Sequence, residues 1–193
     1  MKKILTMILV SAAMLLTGWN ASAQFNIGAG PATRLYYNGG DPVTNIVGVQ
    51  VGFEDNNRSS DYFGYSAGLD FSAFKKRDFY SAEEGLSEMF LEMPVRVKFY
   101  IPMGGADLFF FGGPVPSLCI NSKLIKASGS ENRFKDPSNY SRFDVLAGGG
   151  IGLEIARHLK LALGYDHGLF DRDKTEEGKL KTGMAKFTVG YMF

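Results

Sequence analysis

The side chains best suited to nucleophilic or metal chemistry are scarce in this chain of 193 residues, which contains two histidines and one cysteine. His158 follows an arginine and His167 follows an aspartate, and neither has a serine beside it. Nucleophilic catalysis needs a base close to a nucleophile, and a metal site needs several ligands at short spacing. We therefore expect no catalytic residue, no metal site and no cofactor, and we interpret Cys119 as a small packing residue.

Charged side chains offer a second kind of chemistry, an internal network of ion pairs. They share the polar phase of segments in which polar and apolar residues alternate with period two. The acids are Glu54, Asp70, Glu92, Asp144, Glu154 and Asp166, and the bases are Arg34, Arg96, Lys98, Lys160 and Lys186. These six acids and five bases nearly cancel. A packed polar interior requires such a balance, because an unpaired buried charge is costly.

The folding of neighbouring segments about their connections predicts which of these charges meet. Asp70 and Glu92 should lie nearly opposite each other. The two carboxylates then need a cation between them, which Arg96 or Lys98 would supply. Two further pairs of opposite charge are predicted, Glu154 with Lys160 and Asp166 with Lys186. A selective ion path is the functional alternative, which the narrow interior of a small barrel disfavours.

Period-two alternation along the chain identifies the elements that position these charges. After the amino terminus, no segment has the apolar periodicity of a helix or the ~20 apolar residues of a membrane helix. Eight segments alternate instead, at about 25–37, 44–54, 62–74, 89–101, 107–119, 141–155, 159–170 and 183–193. Each is near the ~9–11 residues with which a tilted strand crosses a bilayer. We therefore predict an all-β fold, an eight-stranded antiparallel up-and-down transmembrane β-barrel.

Four prolines fall inside these segments and weaken the strand assignment there. Pro31 and Pro94 lie in the first and fourth segments, and Pro114 and Pro116 lie in the fifth, which has no clear alternation. A proline cannot donate a hydrogen bond to its neighbouring strand, so we expect bulges at these positions. The sequence leaves the register of the fifth strand open.

Alternation alone would also suit a soluble barrel with an apolar cavity, so the lipid-facing side must be argued separately. The polar face is rich in glycine: Gly48, Gly52, Gly64, Gly68, Gly148, Gly150, Gly152 and Gly164. Such small residues suit a narrow interior, and aromatic residues gather at strand ends, where interfacial girdles belong. The last strand carries Phe187, Val189, Tyr191 and Phe193 on one face, which resembles the carboxy-terminal assembly signal of outer-membrane barrels.

The amino-terminal residues have the parts of a secretory signal peptide. Two lysines precede an apolar run over 4–16, and an A-x-A cleavage site ends at Ala23. We expect Sec-type export with cleavage of 1–23, which leaves 24–193 as the barrel domain; an uncleaved membrane anchor is the alternative. Because the leader holds two lysines and no acid, cleavage would leave 19 of the 21 basic side chains against 20 acidic ones. Such a balance favours no nucleic-acid partner.

The predicted connections alternate in length as in outer-membrane barrels, with long outer loops and short inner turns. The outer connections are at about 38–43, 75–88, 120–140 and 171–182, and the inner ones are at about 55–61, 102–106 and 156–158. The first outer connection is shorter than this rule predicts. The longest, 120–140, exceeds what a strand reversal requires, so it is either a partner-binding loop or a mobile solvated one.

Four short motifs resemble those of the PorT-like group of small outer-membrane barrels, a Bacteroidota type. They are Leu91-Glu92-Met93-Pro94-Val95-Arg96-Val97-Lys98-Phe99-Tyr100, Gly112-Gly113-Pro114, Gly148-Gly149-Gly150-Ile151-Gly152-Leu153-Glu154 and Tyr165-Asp166-His167-Gly168-Leu169. The resemblance spans 24–193 and implies the same barrel fold in the outer membrane of a Gram-negative cell. These motifs identify a fold family and not an activity.

We expect a non-enzymatic barrel with a lumen filled by side chains, which acts as a structural or interaction barrel through its extracellular loops. Its expected partners are outer-membrane lipid, the barrel-assembly machinery during biogenesis, and an extracellular protein. The PorT-like resemblance implies an alternative, an accessory component of a protein secretion machinery with a secretion-system partner. A lipid-acting enzyme is a third alternative, although the chain lacks the His-x-Ser pair of the lipid A deacylase pattern.

Overall fold

The structure, a computed structural model, describes residues 23–77, 84–126, 129–135, 140–173 and 180–193. Its strands are β1 (Ala23–Asn38), β2 (Asp41–Arg58), β3 (Phe63–Lys76), β4 (Gly85–Glu92), β5 (Val95–Pro102), β6 (Ala106–Lys126), β7 (Gly129–Asn132), β8 (Phe143–Ile155), β9 (Leu159–Gly168) and β10 (Leu180–Met192). Of the predicted signal peptide, only Ala23 belongs to the described residues, so cleavage stays a prediction. Within the described ranges, no helix has the length and apolar character needed to cross a membrane.

Neighbouring strands pair antiparallel and the sheet closes on itself, because β1 pairs with β10 on one side and with β2 on the other. β4 and β5 are two halves of one strand, which lies between β3 and β6. β7 is a short strand hydrogen-bonded to β6. The ring therefore has eight strands, one for each predicted segment, and the prediction of an all-β barrel is confirmed.

Exposure alternates along the strands and distinguishes the two faces of the barrel. On β5, Val97 is 64% exposed, whereas the next residue, Lys98, is 1% exposed. Apolar side chains thus point outward and charged ones inward, the reverse of what water around a soluble barrel requires. This arrangement fits lipid outside and polar packing inside, so it excludes the alternative of a soluble barrel with an apolar cavity.

The extracellular end differs most from the predicted connections in two places, while β4 and β10 also begin inside the predicted connections 75–88 and 171–182. The first outer connection is the tight turn Gly39-Gly40 and not 38–43, because both glycines adopt positive φ angles, of 62° and 105°. Much of the predicted loop 120–140 is instead a hairpin, since β6 continues to Lys126 and pairs with β7. An extra residue at Ile120 shifts the alternation of β6, which hid this extension from the periodicity.

The prolines interrupt hydrogen bonding without shifting the strand register. The ladder between β6 and its neighbour breaks at Pro94, at the level of Pro114 and Pro116, and resumes in the same register on both sides. The pairing of β1 with β2 likewise runs through Pro31 without a shift. The expected bulges at the four prolines are therefore wrong, because each missing N–H removes a hydrogen bond but adds no residue. The bulge of β6 lies at Ile120.

Candidate functional site in the lumen and at the two rims

The charged residues on the inward face form two layers inside the barrel. The outer layer, toward the extracellular end, contains Arg34, Glu88, Glu92, Asp144 and Arg172. The inner layer, below it, contains Glu54, Asp70, Arg96, Lys98, Glu154, Lys160, Asp166 and Lys186. All of them are buried except Glu54 and Asp70, whose side chains are 19% and 18% exposed. The lumen is thus filled by charged side chains, all of them from the membrane strands except Arg172, which lies in the connection after β9.

Arg34 on β1 is the central cation of the outer layer. Its Nη1 donates to Glu92 Oε1 at 3.1 Å, and its Nη2 donates to Thr182 Oγ1 at 3.3 Å. The guanidinium also lies over the Phe90 ring, 3.6 Å from its centroid. Asp70 does stand opposite Glu92 in the strand register. However, the prediction that Arg96 or Lys98 lies between these two carboxylates is wrong, because Arg34 reaches Glu92 from across the lumen.

Glu88 is a second acid of the outer layer, and the alternation of the sequence did not predict it. Tyr36 and Ser122 donate their hydroxyls to its carboxylate, and Arg133 donates from 3.3 Å. Glu88 was overlooked because it stood at the end of a predicted loop, 75–88. The strand β4 begins earlier than the alternation suggested, at Gly85, and so brings Glu88 into the lumen.

The extracellular mouth is covered by arginines and aromatic rings from the connections, here called the plug: Arg133, Phe134, Tyr140, Arg142 and Arg172. The guanidinium of Arg133 lies 4.0 Å from the Tyr140 ring centroid, and that of Arg142 lies 4.1 Å from the Phe134 ring centroid. Arg172 is fully buried and donates to the Ser141 carbonyl at 2.9 Å. Burial also raises the pKa of the Tyr140 hydroxyl well above its usual range.

Asp144 of the outer layer is held by hydrogen bonds and not by a salt bridge within the described residues. Its carboxylate accepts from the Thr182 hydroxyl at 3.4 Å and from the backbone N–H groups of Val145 and Phe170 at 2.8 and 3.2 Å. These donors come from β8, β10 and the loop after β9. They satisfy a buried carboxylate that has no direct cation.

In the inner layer, Glu54 lies between two lysines. Its carboxylate contacts the ammonium groups of both Lys98 and Lys160. Glu154 stands opposite Lys160 in the register, but the predicted pair of these two is wrong, since the Lys160 ammonium extends to Glu54. Glu154 instead lies 3.5 Å from the donors of Asn56 and Tyr100.

The remaining charges of the inner layer are linked through Asp166. Arg96 Nη2 donates to both carboxylate oxygens of Asp166, at 2.6 and 2.7 Å. Arg96 Nη1 donates to the carbonyls of Gly113 and Gly148 at 2.8 and 3.2 Å, and the ladder between β5 and β6 is interrupted beside Gly113. Lys186 lies 3.0 Å from Asp70 and 3.9 Å from Asp166, so it connects two carboxylates.

A cavity of about 70 Å³ lies within the inner layer. Its charged lining residues are Glu54, Asp70, Arg96, Lys98, Lys160 and Lys186. A cavity of this size and polarity has room for a few water molecules and is too small for a pore lumen.

The two histidines lie at opposite rims of the outer surface. At the extracellular rim, the Tyr165 hydroxyl lies 3.0 Å from the Tyr37 hydroxyl and 3.1 Å from His167 Nδ1. At the periplasmic rim, His158 Nδ1 lies 3.2 Å from the Met192 carbonyl and its ring stacks on Tyr191. Among the contacts of the described residues, neither histidine has the serine and carboxylate that a hydrolase triad needs. No group of metal-binding side chains occurs in the same ranges.

The last strand presents its aromatic residues to the outside, as its alternation predicts. Phe187, Val189, Tyr191 and Phe193 are all exposed on the outer face. The Phe193 ring lies 5.0 Å from the Tyr191 ring and 6.2 Å from the Phe25 ring of β1. Recognition of this strand during assembly stays a prediction.

Solved structures of small outer-membrane barrels share this fold. Ail, the attachment invasion locus protein of Yersinia pestis, has a TM-score of 0.54 and 15% identity, covering 89% of this chain and 99% of its own. Neisserial surface protein A has a TM-score of 0.55 and 12% identity, covering 88% and 97%. The outer membrane enzyme PagL has a TM-score of 0.52 and 10% identity, covering 87% and 98%. At such identities the likeness concerns the fold alone.

Sequence comparison supplies the family. No curated protein matches the chain significantly. The family model for the outer membrane protein beta-barrel domain matches residues 14–174, most of the chain. This match and the barrel geometry place the protein in the outer membrane of a Gram-negative bacterium, while the finer PorT-like assignment stays a prediction. The chain belongs to the outer membrane protein beta-barrel domain family.

Proposed function

We propose that this protein is a non-enzymatic and non-conducting barrel that presents an extracellular surface to a protein partner. The observation that carries the proposal is the double layer of buried charges, held by ion pairs and hydrogen bonds, at and beneath the plug. Arg34 and Arg172 are fully buried at the extracellular end, and the inner layer leaves a cavity of only about 70 Å³. Such packing supports an anchoring role and argues against the passage of solutes.

The arrangement of titratable groups supports a role without catalysis. Lumen carboxylates contact arginines, lysines or hydrogen-bond donors, which is what packing requires of buried charge. The phenol of Tyr165 faces His167 on the lipid side, but a phenol–imidazole pair lacks an oxyanion hole and an orienting acid. The similarity to PagL does not bear on this point, since the fold accommodates both kinds of protein.

The hairpin of β6 and β7 is the surface we assign to the partner. Its residues 123–126 pair with 129–132 beyond the lumen, and Lys126 contacts the Glu131 carboxylate at 2.7 Å on the exposed side. Ile125 is exposed beside this ion pair. An exposed apolar side chain beside an ion pair, on a hairpin held by a backbone ladder, is a suitable contact for another protein.

Replacing the hairpin tip tests this assignment. Residues 124–131 are exchanged for Asn-Gly, which forms a two-residue hairpin turn between Lys123 and Asn132. The exchange retains Arg133 and its contact with the Glu88 carboxylate. We expect normal membrane insertion, checked by the gel mobility of the unheated protein, and loss of the envelope or adhesion phenotype that the wild-type gene restores to a deletion strain. The matched control is Met103→Asn in a periplasmic turn, which should complement fully. Full complementation by the shortened hairpin would contradict the proposal.

A further inference from the structure

Polar side chains form a continuous patch on the lipid-facing surface at the extracellular rim. It consists of Tyr37 on β1, Lys181 on β10, and Tyr165 and His167 on β9, and we call it the rim patch. The Tyr37 and Tyr165 hydroxyls are 3.0 Å apart, and the Tyr165 hydroxyl is 3.1 Å from His167 Nδ1. The Tyr37 and His167 rings lie 5.3 Å apart. The patch therefore spans three neighbouring strands.

A glycine makes this arrangement possible. A Cβ atom on Gly183 of β10 would lie 2.5 Å from the Tyr165 hydroxyl, closer than atoms can approach. Tyr165 consequently crosses the bare backbone of β10 to reach Tyr37 on β1, and a side chain at position 183 would force the Tyr165 hydroxyl to shift. The bare backbone at Gly183 thus allows the hydrogen bonds that join Tyr37, Tyr165 and His167. These hydrogen bonds distinguish the rim patch from aromatic residues that merely lie near one another at a membrane interface.

The rim patch carries a positive charge at its upper edge. Lys181 is the direct cross-strand neighbour of Tyr37, is exposed, and has no ion-pair partner in the described ranges. Asp171, on the adjoining loop, instead accepts from the backbone N–H groups of Leu180 and Asp173. Below the patch, the outward surface is apolar, with Leu163 and Phe187 exposed to lipid.

We propose that the rim patch binds the phosphate group of a lipid in the outer leaflet of the outer membrane. The ammonium of Lys181, the imidazole of His167 and the hydroxyl of Tyr37 supply the donors that a phosphate oxygen accepts. The apolar strip below them supplies the surface along which acyl chains lie. A free phosphate ion shares this chemistry with the lipid headgroup but would leave the apolar strip unused. This site is independent of the hairpin partner.

The periplasmic rim provides an internal control. His158 likewise contacts a tyrosine ring, that of Tyr191, but its Nδ1 lies against a backbone carbonyl, and within the described ranges no hydroxyl chain extends from it. Both histidines therefore sit in aromatic surroundings near a membrane interface, and only His167 belongs to a cluster of donors. A preference for phosphate lipid should depend on His167 and not on His158.

Native mass spectrometry of the full barrel in detergent tests the proposal. The protein is incubated with equal amounts of phosphatidic acid and of diacylglycerol with identical acyl chains, and the retained lipid is counted. We expect the wild type to prefer phosphatidic acid roughly tenfold, the effect of one charge-assisted hydrogen bond. The variant His167→Phe/Lys181→Gln should lose this preference and His158→Phe should keep it. If the double variant does not fold, Lys181→Gln alone replaces it.

Three results would overturn the proposal. Equal retention of the two lipids by the wild type would mean that only the apolar belt binds lipid. An unchanged preference in the folded rim variant would place the headgroup site elsewhere. Displacement of the retained phosphatidic acid by millimolar inorganic phosphate would assign the patch to free phosphate, whereas the lipid site predicts no displacement.

Discussion

The two layers of the lumen stabilise their buried carboxylates with different cations. In the outer layer, Arg34 lies over Phe90, and the plug above it places Arg133 over Tyr140. In the inner layer, Lys98, Lys160 and Lys186 surround a cavity, and Arg96 is the one arginine among the inner-layer residues defined above. The inner cations also face rings, but from farther away: Arg96 lies 5.5 Å from the Phe111 centroid, and Lys98 and Lys160 lie 5.3 and 5.7 Å from that of Phe109. The outer layer therefore joins charge to close aromatic packing, whereas the inner layer joins charge to space for water.

This difference follows from the chemistry of the two side chains. A guanidinium is planar and weakly hydrated, so it can stack on a ring and still donate hydrogen bonds in its plane. An ammonium is a compact and strongly hydrated charge, which is easier to accommodate where water can enter. We therefore expect the ion pairs of the outer layer to contribute more to the folding free energy than those of the inner layer, because water would not solvate a charge left unpaired there.

The largest effect is expected for Arg34→Met in the outer layer. The substitution leaves Glu92 buried without its cation, which should lower the unfolding free energy by about 3–5 kcal/mol. Urea unfolding of the refolded barrel, followed by far-ultraviolet circular dichroism, measures this change. The double variant Arg34→Met/Glu92→Met removes both charges and should recover much of the loss. A single variant as stable as the wild type would show that the outer layer does not depend on this pair.

A smaller loss is expected for Arg96→Met in the inner layer. Among the described residues, Asp166 then keeps only Lys186 as a cation, 3.9 Å away. Arg96 itself lines the cavity, so its replacement by the uncharged Met lets water from the cavity approach the carboxylate. We expect a loss of about 1–3 kcal/mol, smaller than that of Arg34→Met under identical conditions. If the two variants ranked in the opposite order, the contrast between a dry and a hydrated layer would be wrong.

The sequence predicted the strands and the inward charges because both depend on a local period. Alternation on β5 places Arg96 and Lys98 inside the barrel, and this placement does not depend on which residues they contact. Which charges meet could not be predicted, because long side chains cross the lumen and choose partners from distant strands. Arg34 reaches Glu92, 58 positions away, although the cross-strand register sets Asp70 against Glu92.

The plug and the rim patch were missed for a different reason. Connections have no period, so nothing in the alternation marks Tyr140 or Arg172 as buried. The only signal was composition, since arginines and aromatic residues recur in 133–142. His167 and Tyr165 were correctly given the outward phase, but Tyr37 joins them only because β1 closes the ring beside β10. Ring closure brings the ends of the chain together, which local patterns do not encode.

The buried hydroxyl of Tyr140 in the plug should make the stability of the barrel depend on pH in the alkaline range. Burial raises the pKa of its hydroxyl in the folded protein above the value of the unfolded chain, near ~10. The stability gained from the neutral phenol is therefore complete below about pH 10 and is lost as the pH rises toward the folded pKa. Tyr140→Phe should flatten this alkaline decline in urea midpoints measured between neutral and alkaline pH. An identical decline in the variant would show that another group causes it.

The smallest effect is expected at the exposed hairpin. Lys126→Gln breaks the surface ion pair with Glu131. The loss should cost little folding free energy, because water surrounds both groups and can solvate the carboxylate. The hydrogen bond to Glu131 raises the pKa of Lys126, but screening leaves little of this for stability. We expect an unchanged urea midpoint. A clear loss would indicate that the ion pair supports the pairing of the hairpin with β4, where Leu124 lies opposite Leu86.

Electrical recording from the purified barrel in planar lipid bilayers tests the central claim, a lumen closed by two layers of buried charges that are held by ion pairs and hydrogen bonds. The account predicts no steady conductance of porin size for the wild type, because buried side chains fill the interior from Arg34 down to Lys160. Removing the hairpin tip, 124–131, should leave the recording silent, since both layers remain. A large and steady conductance from the folded wild-type protein would contradict the account.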